Sequence, residues 1–296
     1  MAAAEMKACV REDRAFLAVT GPAVREFLQG LLSQDVEKVD SNQAVYGALL
    51  TPQGKFLHDL FLTNLGDGVL LECEAARADD LASRLKRYRL RAKVSIEARE
   101  NWTVALVWGG TPFDLGEAPG RTVRLGEVAA YVDPRLAALG VRVIGPAAAV
   151  RTTVAGFAPA SLADYAAHRL RLGVPEGAAD IAVDRGFLLE SGFDELNGVD
   201  WTKGCYVGQE LTARTKYRGL VKRRLMPVRV EGVAPEVGAE LEFEGRNAGE
   251  MRSSIGEIGL ALVRLDAWRA ATAAAAPLLA GETRIWPEKP KWAMFE

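Results

Sequence analysis

The segment 203–214, KGCYVGQELTAR, places one of the three cysteines of the chain among residues that favour thiol chemistry. Thr202 is a good helix-capping residue, so a helix is predicted to begin near Lys203, with Cys205 in its first turn. The free N–H groups of a first turn and a nearby lysine both stabilise a thiolate. Gln209 lies four positions after the cysteine and would share its helix face. We therefore predict a reactive thiol at Cys205.

Two other interpretations of this cysteine stay open. It is either a half-buried packing residue in a glycine-containing turn, or a nucleophile paired with one of the two histidines, His58 and His168. The other cysteines, Cys9 and Cys73, are distant in sequence and form no CxxC motif. An odd number of scattered cysteines disfavours both a disulfide framework and a zinc knuckle, so we expect free thiols in a reducing compartment.

A basic stretch follows at 214–224, RTKYRGLVKRR, with six cations and no acid. It predicts either a solvated basic edge or a site for an anion such as phosphate, a polycarboxylate tail, nucleic acid or an acidic partner. Tyr217 is its only aromatic residue, so stacking on single-stranded nucleic acid has little support. The net charge of −2 gives no general attraction to nucleic acid or to anionic membranes. No nucleic-acid partner is therefore expected.

The first residues, MAAAEMKACVREDRAF, contain early acids and no apolar core. This composition predicts neither a secretory signal nor a transit peptide, because transit peptides are poor in acids. No run of about 18 apolar residues is present, so no membrane-spanning helix is predicted. Together with the free thiols, these features predict a cytoplasmic protein.

Hydrophobic periodicity predicts a mixed order of elements in a chain of 296 residues, long enough for two or three domains. Hairpins come first, helices follow, and short strands with glycine-rich turns begin near residue 225. This order favours an α+β fold over a doubly wound sheet. There is no GxGxxG or Walker loop to support a dinucleotide or P-loop site. The main predicted helices are 22–32, 76–90 and 161–174, and the main predicted strands are 14–21, 44–50, 55–65, 69–75, 92–98 and 102–109.

The order of the motifs resembles the YgfZ-type folate-binding proteins, relatives of the T-protein aminomethyltransferase of glycine cleavage. Mitochondrial relatives of that family act in iron–sulfur cluster maturation. The most specific motif is K-G-C-aromatic-x-G-Q-E at 203–210, and the resemblance extends over nearly the full chain. The other matching segments are VTGPAVREFLQGLLSQDV (19–36), YGALLTPQGKFLHDLFL (46–62), LKRYRLRAKVSIE (85–97), LLESGFDELNGVDW (188–201), YRG (217–219) and GLALVRLD (259–266).

The resemblance implies a three-domain cloverleaf of the aminomethyltransferase type, with tetrahydrofolate bound in a central funnel. Residues 1–45 and 146–224 would form a discontinuous folate-binding domain. Residues 46–145 would form an inserted α+β domain, and residues 225–296 a C-terminal β-rich, barrel-like domain. The chain is expected to be a monomer.

The resemblance also implies roles for individual residues. Glu190 stands where T-proteins have a glutamate that recognises the pterin ring, and a carboxylate can accept two parallel hydrogen bonds from its amide and amino groups. Asp59, with Cys205, is assigned to the catalytic chemistry, but His58 stands beside it where T-proteins carry a pair of aspartates. No metal ligand is assigned, because one cysteine cannot build a closed cluster site. The residues assigned to the cofactor are Glu190, Lys203, Tyr206, Gln209 and Arg223.

The function that this resemblance implies is a tetrahydrofolate-binding accessory factor in iron–sulfur cluster assembly or repair, using Cys205. Its expected partners are folate and either assembly proteins or client cluster enzymes, with no membrane. The alternative is a folate-dependent one-carbon transferase in which Asp59 handles the proton of a substrate amine. The missing second aspartate, and Gln209 where T-protein has an arginine, disfavour aminomethyl transfer. A nucleic-acid-binding module is a third interpretation and depends on 214–224 alone.

Overall fold

The computed structural model describes residues 5–295, which form two compact units. Within the described residues, no helix is both long enough and apolar enough to cross a membrane. Unit 1 comprises the described residues up to Leu50, together with Leu57–Tyr165 and Leu196–Val207. Unit 2 comprises Thr51–Phe56, Ala166–Glu195 and the described residues from Gly208 onward.

Unit 1 contains two β-sheets. One has five strands in the order β3-β4-β5-β2-β6, and the other has six in the order β11-β1-β7-β10-β9-β8. Among the pairings of known register, only β1 with β11 is parallel. The elements are β1 (Lys7–Arg11), β2 (Arg14–Thr20), α1 (Val24–Gln29), β3 (Val45–Leu50), β4 (Phe56–Asn64), β5 (Gly68–Glu74), α2 (Ala78–Arg89), β6 (Ser95–Ala98), β7 (Trp102–Trp108), β8 (Thr122–Leu125), β9 (Val128–Val132), β10 (Val141–Pro146), α3 (Ala147–Val154) and β11 (Ala158–Pro159).

Helix α2 shows how local sequence determines these elements. Leu81 and Leu85, one turn apart, are its buried residues. Acids occupy its first turn and bases its last, which complements the helix dipole. It ends at Arg89, because the next residue, Leu90, has a φ of +43°, outside the helical region.

The two sheets of unit 1 are joined by a buried charge cluster around Glu72 on β5. Its carboxylate accepts hydrogen bonds from Arg14 Nε of β2 at 2.8 Å and from the Tyr131 hydroxyl of β9 at 3.2 Å. Arg142 of β10 also donates to it. Burial raises the pKa of Glu72, but Arg142 and Arg14 outweigh that effect and hold it below its ordinary value. The cluster therefore links the five-stranded sheet to the six-stranded sheet.

Helix α4 (Leu162–Leu172) crosses the boundary between the units at Tyr165. Unit 2 contains a closed barrel in the order β12-β15-β14-β13-β16-β17, with every pairing antiparallel. Closure leaves no free sheet edge. Its elements are α5 (Gly177–Asp180), α6 (Gln209–Tyr217), β12 (Arg223–Glu231), β13 (Glu240–Phe243), β14 (Arg246–Ile255), β15 (Ile258–Arg264), α7 (Leu265–Ala273), β16 (Leu278–Ala280) and β17 (Thr283–Pro287).

The α+β class with a C-terminal barrel is confirmed. The predicted helices at 22–32, 76–90 and 161–174 correspond to α1, α2 and α4, within a few residues at each end. The predicted strand at 55–65 is β4, and eight of its nine residues are buried. The three domain boundaries taken from the resemblance stay predictions.

Candidate functional site

Cys205 lies in a loop, residues 200–207, which we call the cysteine loop. The prediction of a helix that begins near Lys203 is wrong, because α6 begins only at Gln209. Gly208 precedes that helix with a φ of +84°, in the left-handed region, so a helix cannot run through it. Cys205 therefore lies outside the helix, and the prediction that it shares a helix face with Gln209 is also wrong.

Asp200 takes the capping role that the sequence assigned to Thr202. Its Oδ1 accepts the backbone N–H of Thr202 at 2.7 Å and that of Lys203 at 3.0 Å. This is an Asx-type turn, in which an aspartate side chain binds the main chain just ahead of it. Burial raises the pKa of Asp200, but hydrogen bonds from Lys38 and Thr202 outweigh it and lower the pKa to about 2.

The side chain of Lys203 points into unit 1 and is bound there by main-chain carbonyls. Its Nζ donates to the carbonyl oxygens of Gln29 at 2.9 Å, Leu32 at 2.6 Å and Gln34 at 2.9 Å. Burial lowers the pKa of Lys203 to about 8, so the side chain is still an ammonium at neutral pH. An ammonium has three donors, and all three are committed here. None is left for a thiolate or for a cofactor.

Both ends of the cysteine loop are tied to the segment 30–33 of the same unit. The N–H of Asp200 donates to the Ser33 carbonyl at 3.0 Å, and the N–H of Val207 donates to the Gly30 carbonyl at 3.1 Å. Cys205 is exposed between these anchors. The loop therefore presents a thiol to solvent from a fixed backbone.

The other cysteines are in different environments. Cys9 and Cys73 are both buried, and burial raises the pKa of Cys73 to about 12. Tyr206, beside Cys205, is buried, with its ring centroid 5.2 Å from the ammonium of Lys203. Within residues 5–295, no group of three or more His, Cys, Asp or Glu side chains has the arrangement to hold a metal ion.

Asp59, the other residue assigned to chemistry, is buried on β4. Its Oδ2 accepts the hydroxyl of Tyr46 at 3.1 Å, whereas its Oδ1 has no hydrogen-bond partner among the described residues. Burial and the Asp59 charge both raise the pKa of Tyr46, so its hydroxyl stays a donor. A buried carboxylate oxygen without a donor is costly.

A cleft of about 310 Å³ opens in unit 1 beside Tyr46. Its size is at the lower end of the roughly 300–1,000 Å³ that is typical of small-molecule sites. The polar residues that line it are Gln34, Lys38, Gln43 and Asn197.

Glu190 lies in unit 2 and is held by Arg223. Arg223 Nε donates to Oε1 at 3.0 Å, and Nη2 donates to Oε2 at 3.2 Å. Each carboxylate oxygen has two acceptor positions, so this bidentate pair leaves one position on each oxygen. Glu190 and Arg223 are thus brought together, and Glu190 keeps the capacity to accept further donors.

Lys55 is a neighbour of this pair that the sequence analysis did not assign to the site. Its ammonium lies 3.3 Å from the ring centroid of Phe187 and donates to the Arg185 carbonyl at 3.2 Å. Burial lowers the pKa of Lys55, Glu190 raises it and Arg223 lowers it, so its charge is coupled to both. The only signal in the sequence was its place directly after the TPQG turn.

The basic stretch at 214–224 is largely neutralised within unit 2. Acids from other segments pair with its cations, which the absence of acids inside the stretch did not reveal. Arg224 is buried and donates to the Leu189 carbonyl. The ion pairs are Arg214 with Glu210, Lys216 with Asp194, Arg223 with Glu190 and Arg224 with Glu195.

Comparison with known proteins agrees with this architecture. Residues 14–114 match the GCVT N-terminal domain, and residues 222–295 match the C-terminal β-barrel domain of CAF17. The solved structure of the glycine cleavage system aminomethyltransferase T from Bartonella henselae superposes with a TM-score of 0.74, covering 95% of this chain and 84% of that one. Its 17% sequence identity shows the fold alone.

Curated relatives are more similar in sequence. The mitochondrial iron–sulfur cluster assembly factor IBA57 of Homo sapiens is 36% identical over 280 residues, covering 86% of this chain and 77% of the human protein. The IBA57 homolog of Pyricularia oryzae is 33% identical over 283 residues, covering 86% of this chain and 71% of the fungal protein.

Fold and domain matches together define a protein of the aminomethyltransferase-like class with a CAF17-type C-terminal barrel. Within that class, the chain belongs to the CAF17/IBA57 family of iron–sulfur cluster assembly factors. This family is related to the YgfZ-type proteins that the motifs resemble.

The expectation of a cytoplasmic location is wrong. The relatives from Pyricularia, human, mouse and Neurospora are all named as mitochondrial. Free thiols indicate only a reducing environment, which is not unique to the cytoplasm. Acidic residues near the start of the sequence do not identify a compartment either.

Proposed function

We propose that this protein is a tetrahydrofolate-binding accessory factor in the assembly or repair of iron–sulfur clusters, and that Cys205 is its reactive thiol. One observation supports this most directly. Of the three cysteines, Cys205 is the exposed one, and it lies on a loop that is tied at both ends. A packing cysteine would be buried, as Cys9 and Cys73 are.

The chemistry of a single exposed thiol suits a transient contact with cluster iron or sulfur. The thiolate is the ligating form, and soft thiolates suit iron–sulfur clusters. A cluster usually takes four ligands, so Cys205 would supply one and a partner protein the others. The cluster is then cargo that passes through the site.

Two carboxylates support the folate part of the proposal. Asp59 has one buried oxygen without a donor, and Glu190 keeps two acceptor positions beside Arg223. The amide and amino groups of a pterin are donors of the kind that such carboxylates accept. Lys203 would act by holding the cysteine loop, because its donors are taken. When bound, tetrahydrofolate would supply an acceptor for a one-carbon group.

The same oxygen of Asp59 favours a second candidate, a folate-dependent one-carbon transferase. A carboxylate oxygen with no donor can accept a proton or hydrogen bond from a substrate amine. The two candidates differ in turnover. Release of ammonia from an aminomethyl substrate with formation of methylene-tetrahydrofolate, or of a demethylated amine with formation of methyl-tetrahydrofolate, would identify the transferase.

The proposed function is tested by complementation. A strain lacking its own assembly factor receives the wild-type chain, Cys205→Ser or the control Cys9→Ala, which removes a thiol without burying a hydroxyl, with protein levels measured by immunoblot. We expect wild type and Cys9→Ala to restore the activity of cluster enzymes, and Cys205→Ser to restore less than about a tenth of it at equal protein level. Full rescue by Cys205→Ser would refute the role of the thiol.

The folate part has its own readout. Calorimetry with tetrahydrofolate on the purified protein measures binding without any cluster chemistry. Absence of binding, together with a Cys205→Ser defect, would leave a thiol-dependent factor that does not use folate.

A further inference from the structure

A basic surface lies at the end of α2 and in the loop after it, residues 86–93, far in sequence from the cysteine loop. We call it the basic tip. It holds five cations within eight residues, and no acid lies between Asp80 and Glu97. All five are exposed, and none forms an ion pair with any residue in the range 5–295. The cations are Lys86, Arg87, Arg89, Arg91 and Lys93.

The basic tip also exposes apolar side chains. Leu90 is 86% exposed and Tyr88 is 38% exposed. Leu90 has a φ of +43°, in the left-handed region that favours glycine or asparagine. Neither the backbone conformation nor packing in the core therefore accounts for a leucine at this position. An exposed leucine in a strained position fits a residue that is buried by something else.

A groove of about 550 Å³ begins beside the tip. One side is formed by the start of α1 and the other by residues 91–93. Pro22, Ala23 and Phe27 give it an apolar lining, whereas Glu26 adds one negative charge. The groove thus combines apolar surface with charges of both signs.

We infer that the basic tip and this groove form a docking site for an acidic partner protein, with Leu90 packed against an apolar side chain of that partner. Five unpaired cations on a chain of net charge −2 attract an acidic surface and speed its encounter. Leu90 and the groove supply the apolar contact that fixes its position. This inference does not depend on folate or on Cys205.

Other anionic partners fit the surface less well. Single-stranded nucleic acid would need several aromatic residues for stacking, and Tyr88 is the only one in the tip. An anionic membrane, being flat, would not fill a groove. A protein segment with acids around an apolar residue matches the exposed cations, the exposed Leu90 and the groove.

The experiment uses two synthetic peptides with the same number of Asp and Glu residues. One has a central Leu-Phe pair, and the other has Ser-Gly there. Binding to the full chain is measured by fluorescence anisotropy at about 0.05 M and 0.15 M salt. Salt screens the electrostatic contribution to binding and leaves the apolar contribution largely unchanged, so the comparison separates the two. A uridine oligonucleotide and vesicles containing phosphatidylglycerol are the comparison probes.

Three variants identify the surface. Arg87→Glu with Arg91→Glu reverses two charges in the tip, and Arg246→Glu with Arg284→Glu makes the same net change at exposed arginines of the barrel. Leu90→Gly removes the side chain and suits the positive φ, so it should not lower stability.

We expect the Leu-Phe peptide to bind at least about tenfold more tightly than the Ser-Gly peptide, and this difference to vanish in Leu90→Gly. Arg87→Glu with Arg91→Glu should weaken the binding of both peptides at least about tenfold. Arg246→Glu with Arg284→Glu should weaken it less than about twofold. No binding of the Leu-Phe peptide, or equal binding of both peptides, would overturn the inference. Tighter, tip-dependent binding of the oligonucleotide or the vesicles would also overturn it.

Discussion

The ammonium nitrogen of Lys203 lies 2.6 Å from the carbonyl oxygen of Leu32, a contact between residues 171 positions apart. The same ammonium also binds the carbonyls of Gln29 and Gln34. Replacing it by methionine leaves three carbonyls without their donor. Since an unsatisfied buried acceptor costs about 1–3 kcal/mol, we expect Lys203→Met to lower the free energy of unfolding by at least about 2 kcal/mol. Urea unfolding measures the difference.

Lys86→Met is the matched control for this prediction. Lys86 is exposed and makes no ion pair with the described residues. Its replacement should change the unfolding free energy by less than about 0.5 kcal/mol. Equal, small effects of both substitutions would mean that Lys203 does not hold the cysteine loop in solution.

Exposure of Cys205 predicts the order in which the thiols are alkylated. Iodoacetamide should modify Cys205 in the native protein well before Cys9 or Cys73, which are buried. Only a minute fraction of Cys73 is thiolate near neutral pH, because burial raises its pKa to about 12. Mass spectrometry of timed digests measures each rate, and digests of denatured protein give the reference. Simultaneous modification of all three thiols in native protein would contradict the structure.

Removal of the Cys205 sulfur should have little effect on folding. The side chain is exposed, so Cys205→Ser should melt within a few degrees of wild type. Cys73→Ser, in contrast, places a hydroxyl in a buried site and should destabilise the protein by about 1–3 kcal/mol. A large loss of stability in Cys205→Ser would make its functional defect uninterpretable as chemistry.

The sequence predicted a reactive thiol at Cys205, which stays a prediction, but it did not predict the structure around it. The motif predicted a helix beginning near Lys203 because threonine, at position 202, is a good helix-capping residue. The actual geometry depends on Asp200 capping the turn and on Lys203 reaching the 29–34 segment. Contacts of that range follow from the tertiary fold, and local propensity cannot reveal them.

The strands and helices were more predictable than the polar interior. β4 and α2 follow from hydrophobic pattern alone. The Glu72 cluster joins residues 58 and 70 positions apart, and nothing in the sequence near Glu72 marks it as buried. The same holds for the pairing of Glu190 with Arg223, 33 positions apart.

Glu190 should affect folate binding beyond its pairing with Arg223. Glu190→Gln keeps the shape but loses the charge and both acceptor positions of one oxygen. If Glu190 accepts the pterin donors, tetrahydrofolate should bind about 10–100-fold more weakly, in line with about 1.5–3 kcal/mol for a hydrogen bond to a charged group. Calorimetry measures the change.

Arg223→Gln is the control for that substitution, because it also breaks the pair but leaves the carboxylate. Arg223→Gln should weaken the binding of tetrahydrofolate less than Glu190→Gln does. Equal losses in the two variants would show that the pair, rather than the Glu190 carboxylate, matters for binding.

His58 predicts a loss of stability on mild acidification. It is 2% exposed on β4, and its Nε2–H donates to Asp80 Oδ2 at 2.9 Å. Burial and the nearby Arg77 lower its pKa from 6.5 to about 4, and the smaller effect of Asp80 does not reverse this. Between pH 6.5 and 4 the unfolded chain therefore binds a proton that the native chain does not. By linkage, the free energy of unfolding falls as the pH falls through this window.

The total change is limited by the size of the shift, at about 3 kcal/mol for 2.5 pH units. His58→Gln keeps a donor for Asp80 and cannot titrate, so its stability should be flatter between about pH 6.5 and 4.5. Asp200 does not share this window, because its pKa moves from 3.8 to about 2 and it acts only at lower pH. Urea unfolding of both proteins across the window makes the comparison. Parallel losses in wild type and His58→Gln would assign the acid sensitivity to other groups.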